Sequence, residues 1–184
     1  MARFTKTVTT VALTASVAAI GLGVASVQPA SAAQADTAAQ APPRCHTQDL
    51  AAIFTQIEGA AGNIYMKVRL TNTSLGTCAI YGYGGLELVG PDPAKPGVPP
   101  THLLRDLSPG PSLVVLAPGQ AADKQLHYSQ VPHPGDNQTG PCQVRPVRAL
   151  ITPPDETTSL TVDWPSGSVC NQGTIDGSAY FRAG

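Results

Sequence analysis

Cys45, Cys78, Cys142 and Cys170 are the residues of this chain best suited to covalent chemistry, and they stand 33, 64 and 28 positions apart. A zinc site needs ligands gathered in short pairs such as Cys-x-x-Cys, and no such pair occurs. An activated thiol needs a basic neighbour to lower its pKa. Cys78, within TNTSLGTCAIYGYGGLEL (71–88), has none beside it. Even in number and all downstream of an export leader, the four cysteines read as two disulfides. Three pairings are possible. Sequential pairing, Cys45–Cys78 with Cys142–Cys170, is favoured because it closes two moderate loops, each worth about 3–4 kcal/mol by the chain-entropy argument. Spacing alone leaves all three open.

The four histidines are weaker candidates. His46 adjoins a cysteine, His102 lies in a proline-rich segment, and His127 and His133 flank SQVP. His127, His133 and Asp136 are a conceivable metal set, but spacings of six and three residues around two prolines make a poor signature. There is no Gly-x-Ser-x-Gly elbow, no phosphate loop and no His-Glu-x-x-His. A Ser-His-Asp set can be drawn on paper in almost any chain of this size. Asp155 and Glu156 follow Pro153-Pro154 on a turn, which favours a solvated pair over a general acid and base. Trp164 reads as core, and Tyr81 and Tyr83, opposite the Cys78/Ile80 side, as a small exposed aromatic patch. No catalytic, cofactor-binding or metal-ligating residue is assigned, and no cofactor is expected; the four cysteines are the residues singled out.

The elements that must hold these residues are strands. In NIYMKVRLTN, Ile64, Met66, Val68 and Leu70 alternate with Tyr65, Lys67, Arg69 and Thr71, which marks a strand with one buried face. Similar patterns recur in LAAIFTQIE, LELV, SLVVLA, KQLHYSQ, VRALI and SLTVDW, each bounded by Gly, Pro, Asn or Asp. In the stretch quoted above, Asn72 and Ser74 are expected to build a turn with Gly76 free for positive φ, and Gly82, Gly84 and Gly85 to form a bend. Between Gly90 and Pro111, seven prolines are expected to prevent any ladder, leaving a long loop. The expected fold is all-β: an antiparallel sandwich of about seven to nine strands.

The first residues are set apart from that domain. Arg3 and Lys6 precede a charge-free run ending in QPASA, where Ala30 and Ala32 suit a signal peptidase. Residues 1–32 are read as a signal peptide, 33–44 as a flexible Ala/Gln/Pro tether, and 45–184 as one secreted β-domain. The apolar run is long enough to cross a bilayer, but no basic stop follows it. Removing the leader leaves nine basic against twelve acidic residues and no basic stripe, which argues against nucleic acid as a partner. No membrane span is expected after leader removal, and oligomeric state stays open.

An ordered set of short features resembles the actinobacterial secreted family called domain of unknown function 4232 (DUF4232). It comprises Cys45, Gly62, LTNTS at 70–74, Cys78, GYGG at 82–85, LAPGQAA at 116–122, Cys142, ITPP at 151–154, and Cys170 with Gly173. Gly84 departs from the family's tendency to proline in Gly-Tyr-Pro-Gly, which implies a looser bend here. The resemblance implies an exported, immunoglobulin-like sandwich with two disulfides, and no activity. The functional expectation is a secreted, non-enzymatic binding module for an unknown protein or envelope component. The alternatives are a secreted hydrolase using His127 or His102 with a loop carboxylate, and a small protease inhibitor presenting the 91–111 loop.

Overall fold

The computed structural model describes residues 41–91, 101–106 and 108–184. The leader reading (1–32) and most of the tether (33–40) lie outside the described residues. Within them the strands run in order β1 (Leu50–Ala60), β2 (Asn63–Asn72), β3 (Cys78–Tyr81), β4 (Gly85–Val89), β5 (His102–Arg105), β6 (Leu113–Leu116), β7 (Ala121–Ser129), β8 (Arg148–Thr152), β9 (Leu160–Asp163), β10 (Thr174–Gly177) and β11 (Phe181–Arg182).

Three sheets result. β1, β2, β7, β10 and β5 lie side by side in that order, with β11 also on β7; β3 pairs with β6; β4, β8 and β9 form the third. In β2 the alternation takes effect directly: Met66, Val68, Leu70 and Asn72 are buried, and no residue between them is. Residues from all three sheets meet in one core, among them Val68, Leu70, Ile80, Leu88, Leu116, Leu126 and Ile151. Burying each such side chain contributes about 1.5–3 kcal/mol. Trp164, only 4% exposed, ties the layers together. Its ring meets Phe54 of β1 edge-on at 5.3 Å and Tyr128 of β7 at 5.6 Å, and its Nε1 donates to Gly167 O.

The all-β fold expected from the sequence is present, with eleven strands among the described residues where about seven to nine were expected, and with one parallel pairing, β5 with β10. The ladder excluded from the proline-rich segment does form, at His102–Arg105. The prolines stand on either side of these four residues, and β5 needs a partner on one side only, being at the sheet's edge.

Both disulfides join neighbours in sequence order. Cys45–Cys78 has Cα atoms 4.8 Å apart and Cys142–Cys170 5.5 Å apart. Around the first, Ala79 N donates to Pro43 O and Cys45 N to Ala79 O, so the chain is already anchored at Pro43 and Arg44. The turn after β2 is organised by Asn72, which is fully buried. Its Nδ2 donates to Gly76 O and Leu116 O, and its Oδ1 accepts from Ser74 N and Oγ. Gly76 is not among the residues with positive φ; the Asn72 and Ser74 side chains close the turn without it. Cys170 opens a tight turn in which Asn171, Gln172 and Gly173 all take left-handed φ of 55°, 55° and 82°.

Candidate functional site

The most developed surface feature grows from the segment joining β3 to β4. Gly82 (φ 108°) and Gly84 (φ 61°) carry the chain around Tyr83 into β4, and Tyr180 N holds the bend by donating to Gly82 O. Gly84 sits so close to β8 that a Cβ there would lie 2.6 Å from Thr152 O. Proline, fixed near φ −65°, has no access to this backbone geometry. The bend is tightly packed rather than loose.

Beneath it lies an unexpected cation. β7 turns Ala122, Lys124, Leu126 and Tyr128 to the core, and Lys124 is 2% exposed. Its Nζ donates to Tyr83 O and stands 3.5 Å from Gly84 O. The Tyr180 and Tyr83 rings approach it at 5.7 and 5.9 Å. Burial, reinforced by the nearby Arg105 charge, pushes the amine down to about 8. Arg105 itself, at the end of β5, lies over the Tyr83 ring at 5.1 Å. One tyrosine thus carries two cations, and neither has a carboxylate partner among the described residues.

Above this floor opens a cleft of about 560 Å³, lined by residues 81–85, Arg105, Pro111 and residues 152–156. Two segments that carry the family resemblance, GYGG and ITPP, therefore meet in one place. Tyr81 is 54% exposed, as the aromatic-patch reading expected, whereas Tyr83 is half-buried and its hydroxyl has no partner among the described residues. Glu156, expected to be solvated, is not. Arg44 Nε lies 3.3 Å from its carboxylate and His46 Nδ1 3.1 Å, while Thr47 donates from both N and Oγ1 at 3.1 and 3.0 Å. The Thr47 backbone amide leads these donors in holding the Glu156 carboxyl below its usual range. Asp155 stays exposed, so the two acids sit in different environments and form no acid/base pair.

A second groove, of about 580 Å³, shares Arg105 with the first. Here Tyr65 of β2 faces His127 of β7, and His127 faces Asp176 of β10, in one row across the sheet. The Tyr65 and His127 rings stack at 4.6 Å with 22° between their planes. His127 Nδ1 lies 3.3 Å from Asp176 Oδ2 and Nε2 lies 3.1 Å from Asn63 Oδ1.

The other histidines do not join it. His102 is exposed on β5, and His127, His133 and Asp136 are not brought together as ligands. Asp136 instead stabilises the turn at the second disulfide. It accepts from the backbone amides of His133, Asn171 and Gln172 and from Gln143 Nε2, and these donors outweigh burial to keep its carboxyl low. Asp136, Cys142 and Cys170 are the one compact group of potential metal ligands among the described residues, but both sulfurs are committed to the disulfide.

Lys124, Arg105 and Asp176 had no place in the sequence reading, and Tyr65 entered it only as a residue on the outer face of β2. Only Lys124 left a signal: continuing the Leu126/Tyr128 alternation two residues back puts a lysine on the core face.

A family model described as Domain of unknown function (DUF4232) matches residues 45–180. The chain belongs to the DUF4232 family. The DUF4232 match opens at Cys45 and closes at Tyr180, so it spans both disulfides and the walls of both clefts. No curated protein and no solved structure matches the chain. Among the described residues of this DUF4232 domain, no helix is long and apolar enough to cross a membrane.

Proposed function

We propose that this DUF4232 domain is a secreted, non-enzymatic binding module whose ligand is held at the cleft between Tyr81–Gly85 and Thr152–Glu156. The observation that carries this reading is the preorganised floor of that cleft. Lys124 holds the Tyr83 carbonyl from within the core, and Arg105 stands over the Tyr83 ring. Fixed walls reduce the ordering cost of binding, and the carboxylate most enclosed by the cleft, Glu156, is already engaged by three residues. The leader ending at Ala32, the tether and the two disulfides support export to an oxidising compartment.

The hydrolase alternative needs a histidine nitrogen aimed at a nucleophile. His127 turns its two nitrogens to Asp176 and Asn63 instead, and His102 is exposed on β5. The inhibitor alternative needs a free loop, yet His102–Arg105 are built into a sheet.

The test is cross-linking of the folded, oxidised protein to envelope and culture-supernatant extracts of its source, with enrichment measured by mass spectrometry. Reduced and alkylated protein and a Tyr81→Ala/Arg105→Ala variant serve as controls. Saturable capture by the folded form alone, lost in the variant, is the expected result. Equal capture by all three removes the proposal.

A further inference from the structure

The groove around Tyr65 and His127 has a chemistry of its own. Three adjacent strands place Tyr65, His127 and Asp176 in one row, and the pairing of those strands fixes their spacing. His127 is held at both ends, by Asp176 and Asn63, and Tyr65 stacks on it, so the two rings make a fixed aromatic wall. Tyr65 is 41% exposed, and the remaining lining is Arg105, Asp106 and Gln125. All of these side chains end in planar polar groups, and between them they offer donors and acceptors of both charge signs.

Each class of ligand meets this lining differently. An anion faces Asp106 and Asp176; a cation faces Arg105 and finds both carboxylates already engaged, Asp106 by Ser108 N and Asp176 by His127; an apolar ligand leaves the rim unpaired at a desolvation cost. A neutral sugar ring meets none of these penalties. Its hydroxyls donate and accept at once, and its C–H face packs on an aromatic wall. The volume, about 580 Å³, falls in the range of about 300–1,000 Å³ typical of small-ligand sites. We infer that the Tyr65–His127 groove is a subsite for an uncharged pyranose unit. Because Arg105 also lines the Tyr81–Gly85 cleft, an oligosaccharide longer than one ring has a second exposed aromatic side chain, Tyr81, within that neighbouring cleft.

This assignment rests on the binding-module reading and is separable from it. The probes are cellohexaose, mannohexaose and chitohexaose, titrated into ¹⁵N-labelled protein with both disulfides intact; hexagalacturonate is the charged control. At least one neutral hexamer is expected to shift the Tyr65, Gln125 and Asp176 amides saturably. Tyr65→Ala, and separately Gln125→Ala, are expected to weaken it by about tenfold or more with the dispersed amide spectrum of the folded domain retained. Both side chains are on the surface, so either variant alone suffices if the other misfolds. The inference is overturned if none of the three neutral hexamers binds, if the variants bind as well as the parent, or if hexagalacturonate binds more tightly. Failure here alongside saturable capture of an extract component leaves the binding module standing without its sugar; failure of both removes both.

Discussion

Lys124 donates to the carbonyl of Tyr83 from inside the core, a lysine 2% exposed with no carboxylate partner among the described residues. Backbone carbonyls and two aromatic rings replace the water it has lost, and they do so incompletely, since the amine is pushed down to about 8.

That shift sets the pH dependence of stability. Unfolded, the amine titrates at the ordinary lysine value of 10.5; folded, at about 8. Below about 8 both states carry the proton and the burial penalty is present in full. Between the two values the unfolded state binds more protons, so stability rises with pH, by about 3 kcal/mol in total. Tyr128 and Tyr180 act in the opposite sense above about pH 10, because burial raises both phenols and the unfolded state ionises first. Urea unfolding at about pH 7 and about pH 9.5 should show the rise in the parent and its absence in Lys124→Met. An identical pH profile in the two proteins would sink the account.

Acid should act through Glu156 and Asp136. Both carboxyls are held below their usual range, so their contribution is present above that range and is lost as pH falls through the folded values. Glu156→Gln is expected to have a lower thermal midpoint than the parent at neutral pH and to lose less of it on acidification. Thermal melts from about pH 6 to about pH 2 give the answer; parallel curves for parent and variant would contradict it.

Gly84→Ala tests the tightness of the bend. The new Cβ meets Thr152 O at 2.6 Å and the Tyr180 ring at 3.1 Å, on a left-handed backbone. A loss of about 2–4 kcal/mol is expected from strain and clash together. Gly76→Ala, where a Cβ meets nothing within 4 Å, is the comparison and should be close to neutral. Equal effects in denaturant titration would mean that the bend yields.

Arg69 and Asp123 form a two-pronged pair, with Nε–Oδ1 at 2.7 Å and Nη2–Oδ2 at 2.8 Å, and the Asp123 side chain is 1% exposed. Arg69→Ala strands that carboxylate and is expected to cost about 3–5 kcal/mol, whereas Arg69→Met with Asp123→Leu should cost far less. If the double variant is the less stable of the two, the pair itself is the stabilising element and the stranded-charge argument fails.

The parts of the fold that were legible in the sequence are those whose signal is local. Alternation from Ile64 to Thr71 identified β2 with its correct buried face, and cysteine parity indicated two disulfides, with loop size favouring the sequential pairing that forms. β5 was hidden because prolines bracket four residues that lack a clear alternation of their own, and β10 because TIDG carries one large apolar residue. The site was less legible still. Glu156 is engaged by Arg44, His46 and Thr47, more than a hundred positions away in sequence. Arg105 becomes the junction of two clefts only once a parallel pairing carries β5 beside β10. Neither relationship leaves a mark on spacing or composition.

The two sequential disulfides also decide how this domain carries mechanical tension. Pulled from the side of Pro43, the chain first peels Pro43 and Arg44 away from Ala79 and Glu156. The force then enters the covalent bond at Cys45 and leaves at Cys78, so residues 46–77, with β1 and β2, lie outside the loaded covalent path. On the C-terminal side the Cys142–Cys170 bond shunts force past residues 143–169 in the same way, sparing β8 and β9. Only the 78–142 segment and the residues after Cys170 remain extensible. An oxidised domain stretched between its ends therefore lengthens by the contour of those parts alone, and reduction releases the two spared loops as added length.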